Sequence, residues 1–206
     1  MKKSVFLTLS LVVLQACSLT QPSEYKISSN MDQEGLFGPY SDPNGLVESH
    51  FRNGGLELTI HDTGTYFWIL PDSSTPRDIS VQVDAILENG DPETGAGVVC
   101  LYDFDNDNGI YFEITFDGYY VIYKFTDQGE EYIYDFYPSD LINIGGNNNI
   151  AVVCNNGVYE FYVNGGMLVK FEDSSSLGSE MALFAYTYSH PESVVRFDNF
   201  VAEGVE

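Results

Sequence analysis

The chain is predicted to be all-β, a sandwich or barrel of short antiparallel strands, on three observations. Runs rich in Val, Ile, Tyr and Phe recur every 8–15 residues from Gly55 to Ala202, a spacing that suits strands joined by tight turns. Dipeptides that tolerate positive φ stand between many of these runs: Asn108-Gly109, Asp117-Gly118, Asn156-Gly157, Asn164-Gly165 and, more weakly, Gln128-Gly129. Type I′ hairpin turns require such pairs. Third, no long amphipathic helix pattern is present, and "PSDLINIGG" (138–146) holds one helical turn at most.

The elements follow in order. Twelve runs read as strands: "GLELTIH", "TYFWIL", "DISVQVDAIL", "GAGVVCLYDF", "IYFEITF", "YYVIYKF", "EYIYDFY", "NIAVVC", "VYEFYV", "MLVKF", "MALFAYTY" and "VVRFDNFVA". Period-two alternation assigns their faces. Ile110, Phe112, Ile114 and Phe116 point to the core, and Tyr111, Glu113 and Thr115 point away. Tyr159, Phe161 and Val163 likewise point inward, with Val195 and Phe197 closing the core near the C-terminus. The stretch "DFDNDNG" (103–109) is read first as a hairpin closed at Asn108-Gly109. Asp103, Asp105 and Asp107 at its tip are either a solvated acidic turn or a loose calcium site, and calcium is the one cofactor candidate. An EF-hand is excluded, because loop positions 6 and 12 are Asn108 and Ile114 instead of Gly and Glu.

The N-terminus speaks to location. Lys2 and Lys3 precede an apolar run, "SVFLTLSLVVL" (4–14), which is short for a membrane span of roughly 20 residues and has the layout of an export signal. "LQAC" (14–17) resembles the lipobox of bacterial lipoproteins. That resemblance implies a signal peptide over residues 1–16, a lipidated Cys17, and a protein exported and anchored in a bacterial membrane by its N-terminal lipid, facing outside the cytoplasm. Residues 17–30 read as the lipidated Cys and a flexible tether, and 31–206 as one domain. Cys100 and Cys154 remain, an even pair in an oxidising setting. They are expected to form a disulfide, the other reading being two separate buried thiols.

Charge limits the partners. With 31 acidic and 8 basic residues the formal net charge is −23. Removal of residues 1–16 would take Lys2 and Lys3 with it and leave −25. Nucleic acid and polyanionic glycans are therefore disfavoured as partners.

From about Gly45 to Ala202 the chain resembles the concanavalin A-like jelly-roll domains, nearest the LamG and 3-keto-disaccharide-hydrolase-like (DUF1080) branch. The resemblance rests on "GAGVVCLYDFDNDNGIYFEITFDGYYVIYK", "NNIAVVCNNGVYEFYVNGGMLVKFED" and "VVRFDNFVAE", in that order. It implies two antiparallel sheets, about 12 strands in all, packed face to face. It does not imply one function, because this fold hosts lectins, glycosidases and non-enzymatic modules.

Retaining glucanases of this fold carry an E-x-D-x-E or E-x-D-x-x-E strand motif, with two carboxylates about 5 Å apart. Here "EITFD" (113–117) keeps Glu113 and Asp117 on one face but has Thr115 at the centre and no second Glu. No catalytic residue is therefore assigned, and the chain is not expected to be an enzyme. His50, His61 and His190 lack a metal-ligand spacing. What remains is aromatic surface, since a ring with a hydroxyl both stacks on a sugar and hydrogen-bonds to it. Trp68, Tyr111 with Glu113, Tyr120 with Lys124, Tyr186 and Tyr188 are the candidate carbohydrate contacts. The expected function is a surface-tethered, non-catalytic carbohydrate-binding module with a neutral glycan as partner. The alternative is a structural or protein-interaction subunit of an envelope assembly, and a glycoside hydrolase-like enzyme comes third.

Overall fold

A computed structural model describes residues 25–106, 108–175 and 177–205. The expected signal peptide, Cys17, the first part of the tether, and Asp107 lie outside the described residues. Among the described residues no helix forms, and fifteen strands build two antiparallel sheets. This is the jelly-roll sandwich.

The six-stranded sheet contains β5 (Thr65–Ile69), β7 (Gly95–Asp103), β8 (Asn108–Thr115), β9 (Tyr119–Thr126), β10 (Gly129–Pro138) and β14 (Glu180–Thr187). Their order across the sheet is β10-β9-β8-β7-β14-β5. The facing sheet contains β1 (Lys26–Ser29), β2 (Tyr40–Ser41), β3 (Val47–Arg52), β4 (Gly55–Ile60), β6 (Ile79–Asn89), β11 (Asn148–Asn155), β12 (Val158–Val163), β13 (Gly166–Glu172) and β15 (Ser193–Gly204). Eight of its strands run β13-β12-β11-β6-β15-β4-β3-β2, and β1 pairs with β15.

All twelve predicted runs are strands. β1, β2 and β3 are additional, and they have polar sequences: KISS, YS and VESHFR. Four residues of the segment expected to be a tether, Lys26–Ser29, form β1. Lys26–Ser29 pairs with Phe200–Glu203, Ile27 packs against the core, and Lys26 is ion-paired to Glu203.

The core lies between the sheets. Val81, Val83, Ile150, Val152, Phe161 and Phe197 from one sheet meet Val98, Ile110, Phe112, Ile114, Ile122 and Leu183 from the other, all fully buried. Each such side chain contributes roughly 1.5–3 kcal/mol by leaving water. Cys100 on β7 and Cys154 on β11 are joined by a disulfide that staples the two sheets across this core. The expected pairing is thus present, and both sulfurs are buried.

The turns divide into two kinds. Asn156-Gly157 and Asn164-Gly165 have positive φ at both residues, as type I′ hairpins require. Asn53-Gly54 is a further pair of this kind. Asn108-Gly109 differs from the expectation. Both residues belong to β8, Asn108 pairs with Asp103, and the reversal lies over the residues between them. A glycine stands at 109 for space, since a Cβ there would lie 2.6 Å from Val99 Cγ1. Asp103 stitches the turn: its carboxylate accepts from the Asp105 amide at 3.1 Å and from Asn106 Nδ2 at 2.9 Å.

Candidate functional site

The outer face of the six-stranded sheet is not a polar surface. β7, β8 and β9 are buried almost throughout, on both faces. On the side away from the sandwich core a second cluster forms from Val99, Tyr102, Tyr111, Val121, Tyr123, Ala182 and Phe184. Tyr66, Trp68, Phe125, Phe136 and Tyr186 pack over it, half-buried. One backbone irregularity contributes a ring. Leu101 has φ 54°, the register shifts between Cys100 and Asp103, and Tyr102 turns to the outer face instead of following Cys100 into the core.

The rings form a stacked array. Tyr66 lies between Trp68 and Tyr186, with centroids 5.2 Å and 4.0 Å away, and Tyr111 stacks on Tyr123 at 4.9 Å. The Trp68 indole N–H donates to the Tyr111 hydroxyl at 3.1 Å. Stacking of this kind adds about 0.5–1.5 kcal/mol per pair beyond area burial, which favours this arrangement of the rings.

Glu113 sits under the array and is fully buried. Tyr188 donates its hydroxyl to Oε1 at 2.8 Å and Tyr123 donates to Oε2 at 2.9 Å. The carboxylate lies over Gly95 of β7, and Gly97 is the next glycine along that strand face. A Cβ on Gly95 would come within 1.8 Å of Glu113 Oε1, and one on Gly97 would meet the Phe112 carbonyl and the Phe184 ring. Glycine at 95 leaves room for the carboxylate, and glycine at 97 leaves room for the backbone and ring beside it. Burial pushes the Glu113 pKa up to about 7, the two phenol hydrogen bonds pull it down, and Glu130 raises it slightly. Burial and the nearby Glu113 charge hold the Tyr188 and Tyr66 phenols above their ordinary range, so both stay protonated.

At one end of the array a cleft of about 400 Å³ opens, lined by Glu93, Thr115, Asp117, Tyr119, Phe136, Tyr188 and Ser189. Its residues come from the β6–β7 loop, the end of β8, the β8–β9 turn, the start of β9, β10 and the segment after β14. Phe136 and Tyr188 meet edge to face at 5.5 Å. Thr115 donates its hydroxyl to Asp117. A depression of about 450 Å³ elsewhere, beside Ser28, Asn30 and Asn199, offers Phe200 as its one ring, and that ring is buried.

The candidate contacts sort into three places. Trp68, Tyr186 and Tyr188 reach the surface of the array, half-buried. Tyr111 and Glu113 lie beneath it with no exposure, so they support the surface and do not form it. Tyr120 and Lys124 are on the opposite side of β9. Tyr120 packs in the main core against Phe161. Lys124 donates to Asp173 at 2.9 Å and lies 3.4 Å from Glu131, and the Asp173 hydrogen bond holds its pKa up. Sequence reasoning missed Tyr66, Phe125, Phe136 and the cleft residues Glu93 and Tyr119. Pairing parity offered a signal for some of them. Val121 opposes Glu113 and Tyr123 opposes Tyr111, so Tyr119 and Phe125 share that face.

No family model matches the chain, and no curated protein matches it. Solved structures do resemble it. A carbohydrate-binding module, CBM66, from Bacillus subtilis matches with a TM-score of 0.59 and 13% identity, covering 87% of this chain and 95% of that one. A prokaryotic β-1,3-1,4-glucanase (lichenase) derived from a mouse hindgut metagenome matches with a TM-score of 0.62 and 11% identity, covering 88% and 98%. The κ-carrageenase from Pseudoalteromonas carrageenovora, solved with an oligosaccharide, matches with a TM-score of 0.59 and 9% identity, covering 92% and 99%. At these identities the likeness concerns the fold, which binding modules and glycanases share.

Proposed function

We propose that the protein binds a glycan on the outer face of its six-stranded sheet and does not cleave it. The observation that carries this reading is the aromatic array of Tyr66, Trp68, Tyr186 and Tyr188 leading into the Glu93–Asp117 cleft. A set of half-buried rings and phenol hydroxyls suits the apolar faces and hydroxyls of sugars. The structural neighbours that bind or act on saccharides support it. The absence of cleavage is argued from Glu113. A retaining pair needs two carboxyl groups that flank the scissile bond. Glu113 is sealed from solvent between two tyrosines and the β7 backbone, and Thr115 occupies the centre of the motif.

The tethering belongs to the same proposal. Cys17 carries lipid and holds the domain at a membrane surface, and two acyl chains give the stable anchoring that one does not. Cys17→Ser is expected to leave the protein in the aqueous phase of a detergent partition; full retention in the detergent phase would remove the anchor.

The binding claim is tested with a panel of neutral oligosaccharides against wild type and Tyr66→Ala and Tyr186→Ala variants, whose melting curves are recorded alongside. Binding that falls at least tenfold in folded variants supports the site. Binding that is unchanged in both refutes it. The same mixtures are assayed for new reducing ends, and their appearance at the rate of an enzyme would overturn the non-catalytic reading.

A further inference from the structure

The cleft at the end of the array has an unbalanced charge. Its ionisable groups are two carboxylates, Glu93 and Asp117, and two phenols, Tyr119 and Tyr188. Among the described residues, neither carboxylate is within ion-pairing distance of a Lys, Arg or His. Asp117 accepts a hydroxyl from Thr115, and the Glu93 side chain has no hydrogen-bond partner there. His190, a neighbouring basic side chain, is ion-paired to Asp91 at 2.9 Å, with a ring nitrogen within 4.8 Å of a Glu93 carboxylate oxygen. The buried Glu113 carboxyl lies directly behind the Tyr188 hydroxyl and accepts from it, but at about pH 6 burial keeps it largely protonated, so Glu93 and Asp117 carry the charge of the cleft.

The walls add a second attraction of the same sign. Tyr119 is 38% exposed, and Phe136 and Tyr188 are half-buried. An aromatic face carries negative quadrupole charge and draws a cation toward it. Carboxylates and ring faces in one concavity therefore favour a group that is positively charged and can donate several hydrogen bonds, which an ammonium does. A sulfate or uronate there would face two like charges in a chain of net −23.

We infer that this cleft is a subsite for an amine-bearing saccharide, a hexosamine unit whose nitrogen is a free ammonium and not an acetamide. Glu93 and Asp117 receive the ammonium, Thr115 fixes Asp117, and the Tyr119, Phe136 and Tyr188 rings pack against the sugar. The inference rests on the proposal that the array binds glycan, and it specifies which sugar sits at its end.

The test is calorimetric titration of the full chain at about pH 6, in chelator, so that a metal ion beside Asp91, Glu93 and His190 does not compete. Three probes are compared: a β-linked glucosamine hexasaccharide, its fully N-acetylated counterpart, and hexalysine as a cation without sugar rings. The glucosamine oligomer is expected to bind about tenfold more tightly than either, a difference of 1.4 kcal/mol. Glu93→Gln, an exposed change that removes no hydrogen bond of the fold, reduces that preference, and Glu93→Gln with Asp117→Asn abolishes it. A double change of equal charge elsewhere, Glu34→Gln with Asp127→Asn, leaves it intact.

Four results overturn the inference. Equal or tighter binding of the acetylated oligomer leaves the glycan-binding array standing but removes the ammonium subsite. Equal binding of hexalysine, or a preference that the Glu34 and Asp127 changes reduce as much as the cleft changes do, assigns the attraction to diffuse charge. If neither oligosaccharide binds, the inference falls. The array proposal then falls with it only if the neutral panel also fails to bind.

Discussion

The two sheets differ most on the faces they turn away from each other. On the nine-stranded sheet, β11 and β12 alternate strictly between buried and half-buried residues. Its outer face carries Gln82, Asp84, Glu160, Tyr162 and Arg196, tied by pairs such as Lys170–Glu160 and Arg196–Glu88. That is how an antiparallel sheet with one wet side behaves. On the six-stranded sheet alternation is lost in β7, β8 and β9, because the outer face has its own cluster of rings over a buried carboxyl. The first face needs only to be soluble. The second contains a buried titratable group and a set of aligned rings that folding alone does not require, and the proposed function accordingly sits there.

What the two sheets share is the core and its disulfide, so the largest expected effect breaks both faces together. Cys100→Ala with Cys154→Ala opens a loop of 54 residues in sequence separation and is expected to cost about 4 kcal/mol on the chain-entropy model. Denaturant unfolding reads this as a lower midpoint, with a somewhat steeper slope because the chain without the cross-link unfolds further. A loss below about 1 kcal/mol would mean that core packing alone holds the sheets.

The next effect belongs to the six-stranded face alone. A carboxyl whose folded pKa stands above its unfolded value keeps a proton that the unfolded chain releases. Glu113, raised by burial from 4.5 to about 7, therefore weakens folding progressively as pH climbs through that window, and the loss persists above it. The full loss is on the order of 3 kcal/mol. Glu113→Gln is expected to flatten this part of the stability profile between about pH 5 and about pH 8. An unchanged profile would mean that the carboxyl reaches water. Substitution of a carboxylate on the wet face, Glu160→Gln, is expected to leave the slope in that window as it was, since Lys170 and Tyr162 hold the Glu160 pKa down.

The smallest effect concerns the acidic β7–β8 turn. With the Asp103 carboxylate already bonded to the turn, added calcium is expected to raise the melting temperature no more than sodium chloride of equal ionic strength, through screening. A calcium-specific rise lost in Asp105→Asn with Asp107→Asn would instead establish a cation site.

The regular part of this architecture is readable from the residues. Twelve apolar runs become twelve strands, and Phe112, Ile114, Phe161 and Phe197 lie in the core as period-two alternation requires. The polar strands β1 to β3 were invisible because pairing with β15, β3 and β4, and not their own composition, makes them strands. The site was only half legible. Trp68, Tyr186 and Tyr188 face outward as their runs suggest. Tyr120 and Lys124 were misplaced because the face of β9 depends on its register with β8, in which Tyr120 opposes Ile114. Tyr102 and Phe136 reach the outer side where positive φ at Leu101 and at Phe136 accompanies register shifts in β7 and β10, which no period-two pattern encodes. Asn108-Gly109 looked like a turn because the dipeptide commonly makes one, yet the glycine is there to clear Val99.

The most direct test of the proposed glycan-binding face uses the chain's single tryptophan. Trp68 lies in the array, stacked on Tyr66 and bonded to Tyr111. An oligosaccharide that binds there must alter the environment of the indole. Titration of a binding oligosaccharide, followed at once by calorimetry and by tryptophan emission, is expected to give a saturable emission change with the calorimetric affinity. Tyr186→Ala should weaken both signals together. Binding by calorimetry with Trp68 emission unchanged would place the ligand off the array and contradict the account.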